Sequence, residues 1–259
     1  MTNAICIPSY CRSDLKQART LKFLAKFPQP DYSIYLVVRA EQSKSYQELV
    51  NSLNLGDSCQ LVVTGDSGIV EARNSGIKAA RKNGVANLLF CDDDLSFSAR
   101  IGESLLTITK QSQSNMMFDS VFGMLTDYAH VAVSTRLANR DPKKLLKTGV
   151  RGHTCVGYDL GVLKAEKLLF ATEAQGKEGL DMTLRLFERG YTNAVTYAYS
   201  INSCGKSVAE SDQYGPSLQA AEALMKRHPE VVTLEEKDYK MGKRVEVRIN
   251  WKKALKVLF

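Results

Sequence analysis

The chain has 259 residues, 44% of them apolar and 24% charged, and a formal charge of +7. Folding a chain of this length removes about 70–75% of its unfolded surface from water, so one sizeable core is expected and a disordered or fibrous class is excluded. No run approaches the roughly 20 apolar residues that cross a bilayer, and no basic flank precedes the first apolar run. A soluble, cytoplasmic protein with no membrane partner is expected.

The first 95 residues alternate strand-like and helix-like patterns. Residues 4–8 read as a buried strand, 14–27 as a helix with Asp14 near its cap, 33–38 as a second strand and 45–53 as a helix. A third strand is expected at 60–64, a helix at 69–83 stopped by Gly84, and a fourth strand at 87–91. Such alternation predicts an α/β fold, a mostly parallel, Rossmann-like sheet flanked by helices, with ligands gathered at the carboxyl ends of the strands. Beyond residue 95 the pattern is less regular. Strands are expected at 120–124, 130–134, 154–163, 194–199 and 244–249, with helices at 178–189 and 216–227. No repeat or linker divides the chain, so residues 1–259 are expected to form one domain.

Six cysteines are scattered without a CxxC pair, and only three histidines occur, so a bound metal is expected to be hard and oxygen-ligated rather than zinc. Charge is unevenly placed. Residues 237–259 hold eight Lys or Arg against two acids, and residues 136–151 hold six against one. Two basic islands on a mildly acidic body suit a polyanionic partner, most simply nucleic acid, as well as an ordinary solvated surface. Trp251 is expected to anchor the tail rather than stack on a base.

The sharpest chemical feature is Asp92-Asp93-Asp94, directly after an apolar strand. Three adjacent carboxylates repel one another unless a cation or solvent relieves them, and alternation along an extended chain lets Asp92 and Asp94 share one Mn2+ or Mg2+. Arg73 lies on the same helical stripe as Ile69 and Ile77, so its guanidinium needs an anionic partner, either a ligand or an aspartate of the neighbouring strand. Asn74 beside it is a further ligand-facing candidate. Pro8, Ser9, Tyr10 and Arg12 close the first strand and suit a planar base and a phosphate. Glu178 and Asp181, three apart on one helix face, serve either as helix-end charges or as a proton acceptor.

These segments together resemble the nucleotide-sugar glycosyltransferases of the GT-A fold. The resemblance covers about residues 4–190 and rests on Ile7-Pro-Ser-Tyr10, on Glu71-Ala-Arg-Asn-Ser-Gly-Ile77, on Leu88-Leu-Phe-Cys-Asp-Asp-Asp94 as a DxD motif, and on Glu178-Gly-Leu-Asp181. It implies a nucleoside-diphosphate sugar donor, most simply a UDP-sugar, bound by Pro8, Ser9, Tyr10, Arg12, Arg73, Asn74, Asp92 and Asp93 in residues 1–95. It also implies a metal on Asp92 and Asp94, and a proton acceptor at Glu178 or Asp181. Gly179 stands where the family has a second acid. Val133-Ser-Thr-Arg-Leu-Ala-Asn-Arg140 is similar to the phage TET-associated DNA glycosyltransferases. That likeness implies a 5-hydroxymethylpyrimidine acceptor in DNA, held by Arg136, Asn139, Arg140 and His153 in residues 96–259, and action in the cytoplasm of an infected host. A transferase of the same fold for saccharide, lipid-linked or protein acceptors, a magnesium nuclease and a non-enzymatic DNA-binding protein are the alternatives.

Overall fold

The apolar runs before residues 9, 39, 65 and 92 become four adjacent parallel strands. The computed structural model describes residues 2–11, 13–14, 17–29, 31–65, 68–141, 143–152, 154–203, 216–239 and 242–256. In it, β1 (Asn3–Pro8), β2 (Tyr32–Arg39), β3 (Cys59–Thr64) and β4 (Asn87–Cys91) lie in the order β3-β2-β1-β4. Most of β1, β2 and β4 is buried because helices cover both faces of the sheet. On one face Leu21 and Leu24 of α1 (Arg19–Lys26) and Tyr46, Leu49 and Val50 of α2 (Ser43–Ser52) pack against Ile5, Ile7, Leu36 and Val38. On the other face Val70, Ile77 and Ala80 of α3 (Ile69–Lys82) meet Ala4, Cys6, Tyr35 and Val37. A Cβ on Gly76 would sit 2.5 Å from Cys6 Sγ, so glycine is what lets α3 lie close on β1.

The less regular second half extends the same sheet. Its strands are β5 (Leu95–Ile101), β6 (Ser104–Thr107), β7 (His130–Thr135), β8 (Leu146–Thr148), β9 (Cys155–Asp159) and β10 (Asn193–Ser203), and the full order is β3-β2-β1-β4-β9-β7-β10-β5-β6 with β8 on β10. The pairings make β1–β4, β6, β7 and β10 run one way and β5, β8 and β9 the other. The carboxyl ends of β1–β4, β7 and β10 therefore share one edge of the sheet. That edge positions the site.

Two expected strands fail for identifiable reasons. Residues 120–124 belong to α4 (Gln111–Met124), because Met117, Phe118, Val121, Phe122 and Leu125 recur at helical spacing on a core-facing stripe. Residues 154–163 split at Asp159, whose Oδ1 accepts from Gly161 N at 2.7 Å and Val162 N at 3.1 Å, capping α5 (Leu160–Ala165). Beyond β10, α7 (Pro216–Arg227), the hairpin β11 (Val232–Tyr239) with β12 (Gly242–Ile249), and α8 (Trp251–Lys256) form a separate small core. It packs against Leu184 and Phe187 of α6 (Glu178–Phe187), with the Trp251 ring edge-on to Phe187 at 6.1 Å, the anchoring contact expected of this residue. Among the described residues no helix is long and apolar enough to cross a membrane.

Candidate active site

The chain leaves β4 at Cys91 and turns within residues 93–94, so the alternation expected of an extended chain does not govern the aspartates. Each takes a different partner. Asp92, with a side chain 32% exposed, faces Arg73 Nη2 at 3.7 Å. Asp93 accepts from Ser9 Oγ at 2.5 Å, and that hydroxyl also lies 2.7 Å from Tyr46 OH. Asp94 accepts from Ser203 Oγ, at the end of β10, at 2.7 Å. The turn is held from below by α1: Thr20 N donates to Asp93 O at 3.0 Å, and Thr20 Oγ1 donates to Asp92 O at 2.6 Å and accepts from Leu95 N. Ser203 and Thr20 were invisible as site residues in the sequence. The strand expected at 194–199 stops short of Ser203, whose place at the carboxyl end of β10 shows only in the fold.

Arg73 is buried, and it bridges two carboxylates rather than facing open space. Its Nη1 donates to Glu178 Oε1 at 2.7 Å, its Nη2 lies near Asp92, and the guanidinium sits 5.5 Å from the Phe170 ring and 6.0 Å from Phe90. Burial opposes its charge, but Glu178 and Asp92 hold its pKa above the ordinary arginine value. Asn74 corrects its expected role. Its amide donates to Phe170 O at 3.0 Å and accepts from Phe170 N at 2.9 Å, so both polar ends are consumed in pinning the segment before α6. Glu178 is closed as well, since Oε2 accepts from Gly176 N at 2.7 Å.

Asp92 has its pKa pushed up to about 7, first by burial, then by the negative charges of Asp93, Asp94 and Glu178, with Arg73 opposing. Asp92 thus stands among neighbouring carboxylates, with Arg73 as its shown cationic partner. Hard oxygen donors fit a divalent cation of the magnesium or manganese kind. Among the described residues, no group of three or more His, Cys, Asp or Glu side chains could hold a metal. An ion held at this turn would need water or a ligand's oxygens to complete its shell.

Pro8, Ser9 and Tyr10 lie at the carboxyl end of β1, as expected, and Ser9 N donates to Val37 O on β2. Over the Tyr10 ring, at 3.7 Å, lies the guanidinium of Arg39, the last residue of β2. Arg39 was missed in the sequence, although a strand-end position on this edge marks it. Gly68, at φ +131, opens α3 against Gln175, whose Oε1 would lie 2.6 Å from a Cβ there. Arg12 and His153 lie outside the described residues.

Asp181 is a second correction. Its side chain is 0% exposed and lies 2.7 Å from Arg227 Nε, 3.1 Å from His228 Nε2 and 3.4 Å from Arg185 Nη1. Burial raises its pKa, but the His228 hydrogen bond and the two arginines outweigh it and hold the carboxyl below its ordinary range. A buried carboxylate so stabilised in its charged form is a poor proton acceptor; it ties α7 to α6.

Of the acceptor candidates, Asn139 is buried and internally used. β10 shifts register against β7 between Thr196 and Ser200, and the Asn139 amide donates to Tyr197 O at 2.9 Å, Tyr199 O at 3.1 Å and Ser134 Oγ at 2.9 Å. Arg100 joins it, donating to Asn139 O, Asn139 Oδ1 and Tyr197 O. A bulge strands carbonyls that the ladder would otherwise satisfy, and these two side chains satisfy them. Arg136 and Arg140 remain exposed.

The two basic islands differ. Residues 232–249 carry five Lys or Arg against four acids, and Lys237 pairs with Glu246 at 2.7 Å, Arg248 with Glu235 at 3.7 Å and, beyond the hairpin, Lys253 with Glu230 at 2.8 Å. Three basic residues of the C-terminal island, Lys237, Arg248 and Lys253, thus have an acidic partner. In residues 136–151, Arg136 and Arg140 donate to carbonyls, Lys147 lies 4.2 Å over Tyr197, and among the described residues none of the six basic side chains pairs with an acid.

No protein-family model matches the sequence, and no curated protein matches it. Solved structures do. S. aureus TarS 1–349 in complex with UDP is 15% identical, with a TM-score of 0.52, over 87% of this chain and 66% of that one. The mannosyltransferase PcManGT from Pyrobaculum calidifontis in complex with GDP-Man and Mn2+ is 13% identical, with a TM-score of 0.60, over 88% and 64%. Glucosyl-3-phosphoglycerate synthase from Mycobacterium tuberculosis, in complex with Mn2+, UDP-glucose and phosphoglyceric acid, is 12% identical, with a TM-score of 0.56, over 97% and 90%. The chain thus spans about two thirds of the TarS and PcManGT chains. At these identities the likeness establishes the architecture, and the fold of this chain is the GT-A glycosyltransferase fold.

Proposed function

We propose that the chain transfers a sugar from a nucleoside-diphosphate sugar, most simply a UDP-sugar, to a hydroxyl acceptor, and that this acceptor is a 5-hydroxymethylpyrimidine of DNA. The observation that carries the transferase reading is the acidic turn at residues 92–94, set at the edge where β1, β2, β4, β7 and β10 all end. Its support is the fold shared with proteins solved with UDP, with GDP-Man and Mn2+, or with UDP-glucose and Mn2+. The DNA acceptor is supported by the segment 133–140 and by the uncompensated charge of residues 136–151.

Each side chain then has a task. Asp92 and Asp94 would hold the divalent ion, which when bound supplies positive charge against the departing diphosphate. Asp93, fixed through Ser9 and Tyr46, keeps the turn rigid. Arg73 holds Asp92 in place, and Glu178 acts through Arg73 as a positioning residue. Tyr10, with Arg39 on one ring face, offers the other to a planar base. Arg136 and Arg140 attract the acceptor's phosphates.

The test is a transfer assay with labelled UDP-sugars and manganese on hydroxymethylated DNA, unmodified DNA and simple glycans. Label entering hydroxymethylated DNA alone, and lost in Asp94→Asn, is the expected result. Label entering glycans alone overturns the DNA acceptor, and an active Asp94→Asn protein overturns the role of the acidic turn. Degradation of DNA without a sugar nucleotide favours the nuclease.

A further inference from the structure

Leu137 is 76% exposed, a larger share than any other big apolar side chain among the described residues. It does not sit on a loose loop. Residues 136–138 form a turn directly after β7, in which Arg136 N donates to Ile201 O at 2.8 Å, Ala138 N to Thr135 O at 3.1 Å and Asn139 N to Thr135 O at 3.0 Å. Arg140 Nε closes the far side by donating to Leu137 O at 3.0 Å, and Asn139 is locked beneath by the bulge of β10. A large apolar side chain is thus held out to solvent on a braced turn, between Arg136 and Arg140. The turn also lies beside the acidic site. Ile201, its hydrogen-bond partner, is two residues from Ser203, which donates to Asp94, a spacing of about 7 Å along an extended strand.

From this geometry we infer that Leu137 is a wedge that enters the base stack of duplex DNA and holds open the gap left when the acceptor base swings into the site. The inference rests on the DNA acceptor proposed above. A hydroxymethyl group on a base inside a duplex cannot reach Asp92 and Asp94 without leaving the stack, and unstacking is disfavoured unless something occupies the vacated step. Apolar side chains do this in proteins that kink DNA, with flanking basic residues on the phosphates. The flanking charges here are Arg136 and Arg140, with Lys143 and Lys144 further along the same uncompensated segment. An anionic bilayer is the competing occupant, since Leu145 and Leu146 of the same basic segment are also exposed, but interfacial binding calls for a broad apolar face such as an amphipathic helix, and these side chains stand on a turn, a bend and a three-residue strand.

The experiment uses the full chain and a duplex carrying one 5-hydroxymethylcytosine with 2-aminopurine as its neighbour, whose fluorescence rises on unstacking. Wild type is expected to raise the fluorescence and Leu137→Ala to abolish the rise. The ratio of duplex to single-stranded transfer should fall by about tenfold in Leu137→Ala, as the cost of flipping goes unrelieved, and Leu137→Met should restore it. Because Leu137 is exposed, folding is not at stake. An undiminished ratio in Leu137→Ala overturns the wedge, as does binding to phosphatidylserine vesicles without any fluorescence rise on DNA. A Leu137-dependent rise without sugar transfer to either form of DNA keeps the wedge and overturns the transferase reading, so the two failures are distinguishable.

Discussion

Replacing Asp181 by Asn separates a structural carboxylate from a catalytic one. In the folded chain it faces Arg227, His228 and Arg185 at 2.7, 3.1 and 3.4 Å with no exposure of its own. Removing one partner from a buried charge cluster typically costs about 3–5 kcal/mol. Here the loss should be smaller, about 2–3 kcal/mol, because Arg227 is a third exposed and Asn keeps one accepting oxygen. For a chain of this size about 2–3 kcal/mol corresponds to a fall in Tm of roughly 5–10 °C. The pH dependence provides a second signature. Burial lowers the His228 pKa, but Asp181 and Glu188 raise it above the ordinary 6.5, so its contribution is complete below that value and lost as pH rises through the folded pKa. The Asp181 pKa is depressed from 3.8, so its contribution is present above that value and lost as pH falls through the folded pKa. The joint between α6 and α7 should be firmest from about pH 4 to 6.5 and should loosen toward pH 8. Differential scanning calorimetry at pH 6 and 8 should show this slope in wild type and a shallower one in Asp181→Asn, where Glu188 alone still raises the His228 pKa. A variant with an unchanged Tm and no sugar transfer would refute the argument and restore Asp181 as the proton acceptor.

Three other perturbations follow from the same geometry. Glu178→Gln removes the charge opposite Arg73, so sugar-donor affinity in calorimetry should weaken several-fold; unchanged affinity would mean that Arg73 does not need Glu178 for its position. Asn139→Ala removes the amide that donates to both Tyr197 O and Tyr199 O at the β10 bulge and should cost about 1–3 kcal/mol in urea unfolding; a neutral outcome would assign the bulge to Arg100 and Ser134, which also donate to these carbonyls. Lys143→Gln with Lys144→Gln should flatten the log–log salt slope of DNA binding by up to about 0.9 for each phosphate that is no longer neutralised, whereas Lys237→Gln, already paired with Glu246, should leave it nearly unchanged.

Much of the first half was legible because its signals are local. Buried parallel strands read as apolar runs, and the strands at residues 33–38, 60–64 and 87–91 and the helix at 69–83 lie within two residues of the observed bounds. The acidic run after an apolar strand and the inward stripe carrying Arg73 are likewise local signals, whereas the turn at residues 93–94 that sends each aspartate to a different partner is not. The second half misled where two periods compete: Val121 and Phe122 suit a strand until Met117, Phe118 and Leu125 supply a helical stripe.

Which partner each polar side chain takes was decided only by tertiary packing. Glu178 and Asp181 are indistinguishable on one helix face, yet α3 brings Arg73 to the first and α7 brings Arg227 and His228 to the second. The sequence distributes charge along the chain, and only the fold shows that Lys237, Arg248 and Lys253 of the C-terminal island pair with acids while, among the described residues, no basic side chain of residues 136–151 does. Backbone periodicity is written into neighbouring residues, so a short stretch of chain suffices to read it. Electrostatic pairing joins residues separated by as many as 105 positions, as Arg73 and Glu178 are, and it exists only once the sheet has brought them together.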